Sequence, residues 1–305
     1  MNGKPPLISV VIPVYNPGCE VLKNTLHSVV YQTYQNLEIW VIDDGSDTDI
    51  SPIIKEIVDA RIHYHKLPHE NANVARNFGI TKSTGQFIAF LDADDLWLEN
   101  HIEDCWHTLK ETSADGLYGS LILRNPVDYS EKTVFVRDTK KDETMIDYLL
   151  SSGYGAQTST LFVHSESAKD IRWNPKLKRH QDYDFVVRYS KKYKLIPKST
   201  PTVIYRLGNK VPNIDFASCI RFIKENEDDI SPAIYNRYCL NMLSLAKRKN
   251  EAAEIIRHYQ KEATRYMEYL SYAQFLSIRH PRTKMELTKL KSEYLFHILK
   301  TVTTL

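Results

Sequence analysis

Residues 7–125 of this 305-residue chain alternate between strand and helix patterns. Short apolar runs rich in β-branched residues predict strands at residues 7–14, 37–42, 61–65 and 86–91. Amphipathic runs between and after them predict helices near residues 20–34, 50–60, 72–82 and 98–110. Such a β-α-β-α series favours a mainly parallel, doubly wound sheet with helices on both faces, which places the chain in the α/β class.

The pattern changes twice further along the chain. Beyond residue 116 the order loosens into strands near residues 117–123 and 160–163 with short helices between them, and from about residue 216 helical periodicity dominates. We therefore predict one α/β domain made of two halves, residues 1–115 and 116–215, and a helical C-terminal region at residues 216–305.

Acidic motifs follow two of the predicted strands. The motif DDGS occupies residues 43–46, and the motif DADD occupies residues 92–95. The carboxyl ends of parallel strands form the ligand-binding edge of an open α/β sheet, and unpaired carboxylates there would repel one another. Because Mn²⁺ and Mg²⁺ prefer oxygen ligands, we predict a divalent cation and a phosphate-bearing substrate at this edge. We expect Asp95 to cap a helix that begins near residue 96.

Charge and cysteine content suggest a location. Residues 221–305 contain fifteen Lys and Arg against ten Asp and Glu, although the whole chain carries a net charge of only +2. The basic C-terminal region could contact anionic lipid or form a homo-oligomer, or it could simply pack on its own core. Four scattered cysteines, no signal-peptide pattern and no long apolar run predict a cytoplasmic protein, peripheral at most to the inner membrane face, with no nucleic-acid partner.

Five motifs in a fixed order resemble the family 2 inverting glycosyltransferases of the GT-A fold. They are SVVIPVYN at residues 9–16, VIDDGS at 41–46, ARNFGI at 75–80, FLDADD at 90–95 and QDYDF at 181–185. The resemblance extends to about residue 206. It implies that residues 1–115 bind a nucleotide sugar and that residues 116–215 form the acceptor half.

The resemblance assigns a nucleotide-binding role to four residues. It implies that Pro13 and Tyr15 hold the nucleobase and that Asp44 accepts the imide N–H of uracil, a contact that suits a carboxylate. Arg76 is placed against the donor, where it could reach the diphosphate, although an ordinary ion pair would explain it as well. A UDP-linked hexose or N-acetylhexosamine is therefore the expected donor.

The resemblance also assigns the metal and the general base. Asp94 is implied to bind Mn²⁺ or Mg²⁺, and Asp92 the metal or the ribose. Asp182 is implied to be the base that deprotonates the acceptor hydroxyl, with Asp184 as the substitute candidate. Either Asp could instead serve only to stabilise the start of a helix.

One departure from the family pattern lies downstream. Tyr205 and Arg206 match a Tyr-Arg pair, but Gly208 and Asn209 stand where a histidine that reaches the metal or the diphosphate is expected.

The expected reaction is inverting transfer to a glycan or lipid-linked acceptor in surface polysaccharide synthesis. A nucleotidyltransferase, which would need a Gly- and Lys-rich phosphate loop, and a non-catalytic nucleotide-sugar or glycan-binding module are the alternatives.

Overall fold

The computed structural model describes residues 5–208, 214–279 and 284–302, so Asn209 lies outside the described residues. Its backbone divides into two compact units, residues 1–222 and 223–305. The sequence analysis places the boundary at residue 216, where a helix indeed begins. That helix spans Phe216–Glu225, and its buried residues through Phe222 belong to the first unit.

The described strands form one nine-stranded sheet. Their bounds are β1 Ile8–Val14, β2 Leu37–Asp43, β3 Ile62–Lys66, β4 Phe87–Phe90, β5 Leu96–Trp97, β6 Gly116–Arg124, β7 Glu131–Val134, β8 Phe162–His164 and β9 Leu195–Arg206. The order is β3-β2-β1-β4-β8-β6-β9-β5, with β7 paired to β6. Strands β1 to β4 are parallel, as predicted, whereas β8 enters antiparallel to β4 and opens the second half.

Helices flank this sheet and make up the second unit. In the first unit they are α1 Cys19–Val30, α2 Ser51–Glu56, α3 Ala72–Lys82, α4 His101–Thr112, α5 Met145–Ser152, α6 Ser165–Ile171, α7 Gln181–Ser190 and α8 Phe216–Glu225. The remaining helices are α9 Pro232–Arg248, α10 Ala253–Glu262, α11 Tyr272–Arg279 and α12 Lys284–Val302. The α/β prediction with a helical C-terminal region is confirmed.

Three predicted boundaries differ from the structure for identifiable reasons. Helix α1 ends at Val30 rather than at residue 34. Tyr34 lies in the loop that follows, where it is buried and its hydroxyl donates to the Pro6 carbonyl at 2.5 Å. Helix α4 begins at His101 rather than near residue 98, since residues 96–97 pair with β9. The strand predicted at residues 160–163 is shifted to β8, after a 3-10 turn at Thr158–Thr160.

The C-terminal unit has a core of its own. Tyr259, Met267, Leu270, Phe275 and Ile278 are buried within it. Two of its basic side chains are in ion pairs, Arg265 with Glu227 at 2.9 Å and Arg279 with Glu293 at 3.0 Å. In the described ranges, no helix combines the length and apolar character that crossing a bilayer requires. Membrane contact and oligomerisation stay predictions.

A buried carboxylate ties the three central parallel strands together at their amino ends. Glu38 of β2 accepts the Ser9 hydroxyl of β1 at 2.5 Å. It also accepts the backbone N–H groups of Thr84 and Gly85, just before β4, at 2.6 and 3.1 Å. Since this network fixes the starts of the strands, it also aligns their carboxyl ends, where the acidic loops begin.

We expect Glu38→Ala to lower the free energy of unfolding by about 2–4 kcal/mol, because the Thr84 N–H loses its carboxylate acceptor and the Gly85 N–H keeps only the Ser9 hydroxyl. Urea unfolding measures the change. Glu166→Ala is the matched control, since this 90% exposed carboxylate pairs only with Lys169 on the surface and should contribute about 0–1 kcal/mol. Equal losses in the two variants would contradict the anchoring role.

Candidate active site

The loops after β1 and β2 are joined side by side. Asn16 has a φ of 45° and exchanges hydrogen bonds with Asp47, and its backbone N–H donates to the Ser46 hydroxyl at 2.9 Å. Tyr15 is 46% exposed, and its ring stacks on His69 at 4.1 Å. Pro13, in contrast, is buried inside β1, so the exposed part of this loop begins at Tyr15. We therefore expect the ring of Tyr15, rather than Pro13, to contact the nucleobase.

Asp44 lies beneath this stack. Its side chain is 2% exposed, one carboxylate oxygen accepts the backbone N–H of Glu70 at 3.0 Å, and the other lies 2.9 Å from His69 Nδ1. The following Gly45 has a φ of 76°, and a Cβ there would lie 2.6 Å from the His69 backbone nitrogen. Only glycine fits such a left-handed turn against a neighbouring backbone. The DDGS sequence thus fixes Asp44 against the His69 loop.

The DADD loop follows β4, and its three carboxylates have different environments. Asp92 is partly buried, and Asp94 is exposed at the surface of the loop. Desolvation within the loop and, next, the charge on Asp92 raise the pKa of Asp94. Within the described ranges, no group of three or more His, Cys, Asp or Glu side chains is arranged to hold a metal ion. Among the described residues, Asp92 and Asp94 are the carboxylates that this loop offers to an ion.

The prediction that Asp95 caps a helix is wrong. Residues 96–97 form a strand, and the Asp95 side chain is 1% exposed. Its carboxylate accepts the Ser159 hydroxyl at 2.5 Å and the Arg206 backbone N–H at 3.1 Å. Ser159 also accepts the backbone N–H of Asp92 at 3.1 Å. Asp95 therefore connects the DADD loop to Ser159 and Arg206 in the second half of the domain.

Arg76 connects three of the sequence motifs. This residue of α3 is 4% exposed, and one guanidinium nitrogen donates to Asp92 Oδ1 at 2.6 Å. The other terminal nitrogen donates to Asn73 Oδ1 and to Gln181 Oε1, both at 2.9 Å. The guanidinium also lies over the Trp173 ring, 4.5 Å from its centroid. The ion-pair alternative is thus present in the structure, and diphosphate contact stays a prediction.

Asp182 lies in the first turn of α7, next to Gln181. Its carboxylate is partly buried, and burial raises its pKa to about 6, with the charge on Asp92 adding to the rise. The nearby Arg76 guanidinium and the Tyr183 backbone N–H act in the opposite direction. A carboxylate that titrates near neutral pH is suited to general base catalysis.

The neighbours of Asp182 have structural contacts instead. Asp184 is buried and accepts two hydrogen bonds from Arg188, at 2.6 and 3.0 Å, so its charge is already paired. His180 adopts a left-handed backbone with a φ of 57°, and its ring packs against Tyr183 and Phe222. Burial, together with the charge on Arg179, lowers the pKa of His180 to about 3. Its imidazole is therefore neutral beside Asp182.

These groups face a cavity of about 690 Å³ in the first unit. The cavity brings together the predicted residues Arg76, Asp92 and Asp182. Its remaining lining residues are Gly153, Tyr154, Gln157, Thr158, Lys178, Arg179, His180, Gln181, Tyr183, Tyr205, Leu207 and Gly208. Tyr15, Asp44 and Asp94 lie outside this lining, on the adjoining loops of the same sheet edge. The predicted residues therefore occupy one continuous edge of the sheet.

Two contributors were not found by the sequence analysis. His69, which packs on Tyr15 and contacts Asp44, follows β3 in a stretch without an acidic motif. Ser159 connects Asp92 to Asp95 from a turn 64 residues beyond Asp95. The preceding strand could have indicated His69, since residues 67–70 also follow a parallel strand at this edge. No sequence signal marks Ser159.

Comparison with known proteins places this geometry in a family. The sequence model described as "Glycosyl transferase family 2" matches residues 9–170, more than half of the chain. An uncharacterized glycosyltransferase of Rickettsia bellii (strain RML369-C) is 47% identical over 97 residues, which are 32% of this chain and only 14% of that protein. The amylovoran biosynthesis glycosyltransferase AmsB of Erwinia amylovora is 28% identical over 211 residues, covering 65% of this chain and 69% of AmsB.

A solved structure shows the same fold. The crystal structure of an S. aureus TarS fragment in complex with UDP-GlcNAc matches 94% of this chain and 80% of that one, with a TM-score of 0.57 and 16% sequence identity. The chain belongs to glycosyl transferase family 2 and has the GT-A fold that its motifs resemble.

Proposed function

We propose that this protein is an inverting glycosyltransferase that moves a sugar from a UDP-linked donor to an acceptor hydroxyl in polysaccharide biosynthesis. The observation that carries the proposal is the convergence of Asp92, Arg76 and Asp182 in one cavity. The cavity therefore contains a carboxylate of the DADD loop, proposed for the donor side, and a carboxylate whose pKa is near neutral, proposed as the base. AmsB, a relative in amylovoran biosynthesis, supports the polysaccharide context.

The donor nucleotide would lie on the loops after β1 and β2. Tyr15 offers an exposed ring, and the buried Asp44 offers carboxylate oxygens with remaining acceptor capacity toward an imide N–H. His69 contacts both residues and so fixes their relative positions. The UDP-GlcNAc bound in the TarS crystal structure supports a UDP-linked donor.

Asp94 and Asp92 fit a hard divalent cation such as Mn²⁺ or Mg²⁺. Desolvation and, next, the charge on Asp92 raise the pKa of Asp94, and a bound cation would favour its ionised form. Two carboxylates are enough where substrate phosphates supply further oxygens. The ion, when bound, would stabilise the charge on the departing diphosphate. In the reaction, an Asp182 oxygen takes the proton of the acceptor hydroxyl, whose oxygen bonds to the anomeric carbon. The bond from that carbon to the diphosphate breaks, and UDP leaves with the electron pair, so the configuration inverts.

In the described part of the chain none of the four cysteines is in a disulfide, and three of them are buried, which is consistent with a reducing compartment. We therefore propose a cytoplasmic location, where the acceptor is a glycan or a lipid-linked sugar.

Metal dependence is the first test of this site. EDTA should abolish UDP release from a panel of UDP-sugars, and Mn²⁺ or Mg²⁺ should restore it, because the carboxylate pair needs the ion to hold the diphosphate. Asp94→Ala should lose most of this activity while unfolding at the wild-type denaturant concentration. Full activity of Asp94→Ala in EDTA would refute the metal assignment. Asp138→Ala is the control, because Asp138 is an exposed carboxylate that is absent from the cavity lining.

Asp182 must be ionised to accept a proton, so kcat should fall as the pH drops through about 6. Asp182→Asn should lower kcat by about 10²–10⁴ with donor KM nearly unchanged, because the isosteric amide cannot take a proton. Asp184→Asn is the matched control: it breaks the pair with Arg188 and should reduce stability while keeping the acid limb near pH 6. Exchanged phenotypes would make Asp184 the base.

Arg76→Lys tests whether the connection between motifs matters. Lysine retains the charge but not the planar fork that reaches Asp92 and Gln181 together, so kcat/KM should fall by about 10–100-fold. Arg61→Lys is the control, since Arg61 is paired through two nitrogens with both Asp59 oxygens and is absent from the cavity lining. If both substitutions reduced UDP release only slightly and to a similar extent, the hydrogen bonds from Arg76 to Asp92 and Gln181 would not matter for activity.

A further inference from the structure

We propose that the acceptor carries a phosphate group and that Lys178 and Arg179 bind it. This inference rests on the proposed function and extends it to the second substrate. Both side chains line the cavity that contains Asp182. Within the described ranges, neither side chain takes part in an ion pair.

The other charges of the cavity do not neutralise these two. The Arg76 guanidinium is already paired with Asp92 at 2.6 Å. Asp182 is the other carboxylate of the lining, and its proposed role is to accept the proton of the acceptor hydroxyl. The cavity therefore presents two uncommitted cations to a ligand, and an anionic group on that ligand would match them. The ammonium group of a lysine and the planar guanidinium of an arginine both donate charge-assisted hydrogen bonds to phosphate oxygens.

The segment that carries the two cations is held firmly. Side-chain amides of Asn71, Asn73 and Asn77 donate to backbone carbonyls within residues 173–177, at 2.7–3.1 Å. The Lys178 backbone N–H donates to the Ser218 hydroxyl at 2.8 Å. Strained left-handed backbone follows at His180, and such strain persists only where the surroundings enforce it. The chain thus uses several hydrogen bonds to keep two cations at the cavity.

Their place in the chain assigns them to the acceptor rather than to the donor. Lys178 and Arg179 precede Asp182 by four and three residues and share the acceptor half with it. The donor diphosphate, in contrast, is proposed to lie at the DADD loop. A phosphate bound by the two cations would therefore hold an acceptor sugar with its hydroxyl near Asp182.

The experiment uses three probes on the full chain: an N-acetylhexosamine linked through diphosphate to an alkyl chain, the same sugar as a soluble 1-phosphate, and its neutral alkyl glycoside. Binding is measured as Kd without donor, so the result does not depend on turnover. We expect the wild type to bind at least one phosphate-bearing probe about 10–100-fold more tightly than the glycoside, with this preference shrinking at high salt. The two phosphate probes distinguish a lipid-linked from a soluble acceptor.

The double variant Lys178→Ala/Arg179→Ala should lose that preference and leave the Kd for UDP unchanged. Lys176→Ala is the matched control, because Lys176 is an exposed cation of the same segment outside the cavity lining, and it should keep the preference. A wild type that does not prefer either phosphate probe, or a double variant that weakens UDP binding instead, overturns the inference. Failure of the proposed function is seen separately, as a wild type that releases UDP from no UDP-sugar.

Discussion

A buried arginine is the interaction on which the site depends. Burying a cation costs several kcal/mol unless hydrogen-bonded partners surround it. The two terminal nitrogens of Arg76 have Asp92, Asn73 and Gln181 as acceptors and the guanidinium lies over the Trp173 ring, while its buried Nε has no hydrogen-bond partner among the described residues. Because Asp92 and Gln181 come from distant segments of the chain, these hydrogen bonds join the loop after β4, helix α3 and the start of helix α7. Asp92, proposed for metal binding, and Asp182, proposed for proton transfer, are thereby held at one cavity.

Two further buried networks hold the strands that lead to this site, one at the amino ends of the parallel strands and one after β4. Glu38 binds groups from β1 and from the turn before β4, and so sets where the parallel strands begin. Asp95 then ties the end of β4 to Ser159 and to the end of β9. Burial, followed by the charges on Asp92 and Asp94, raises the pKa of Asp95 well above its ordinary range. The loop that carries Asp92 and Asp94 is thus held between two buried polar networks, which limits its freedom before any ligand binds.

The predictions succeeded where local pattern and tertiary packing agree. The helix at residues 72–82 was predicted with its observed bounds, since Asn71 caps it and its apolar face packs on β1 and β2. The prediction that Asp95 caps a helix failed. An Asp in a turn can accept a backbone N–H at a helix start, but it can equally accept one from a distant strand, and Asp95 accepts the N–H of Arg206, more than 100 residues away. The first strand was predicted at residues 7–14, and β1 indeed runs from Ile8 to Val14 with Pro13 inside it.

By itself, the sequence determined the α/β class, the motif order typical of glycosyl transferase family 2, and the residue types available for metal, nucleotide and proton transfer. These depend on periodicity and on short motifs, which are local properties. Only the tertiary structure decided that Arg76 joins the DADD and QD motifs, that Asp184 is paired while Asp182 faces the cavity, and that Lys178 and Arg179 remain uncommitted there. The physical reason is that partner choice and desolvation depend on which distant side chains the fold brings within hydrogen-bonding distance, and spacing along the chain does not encode that distance.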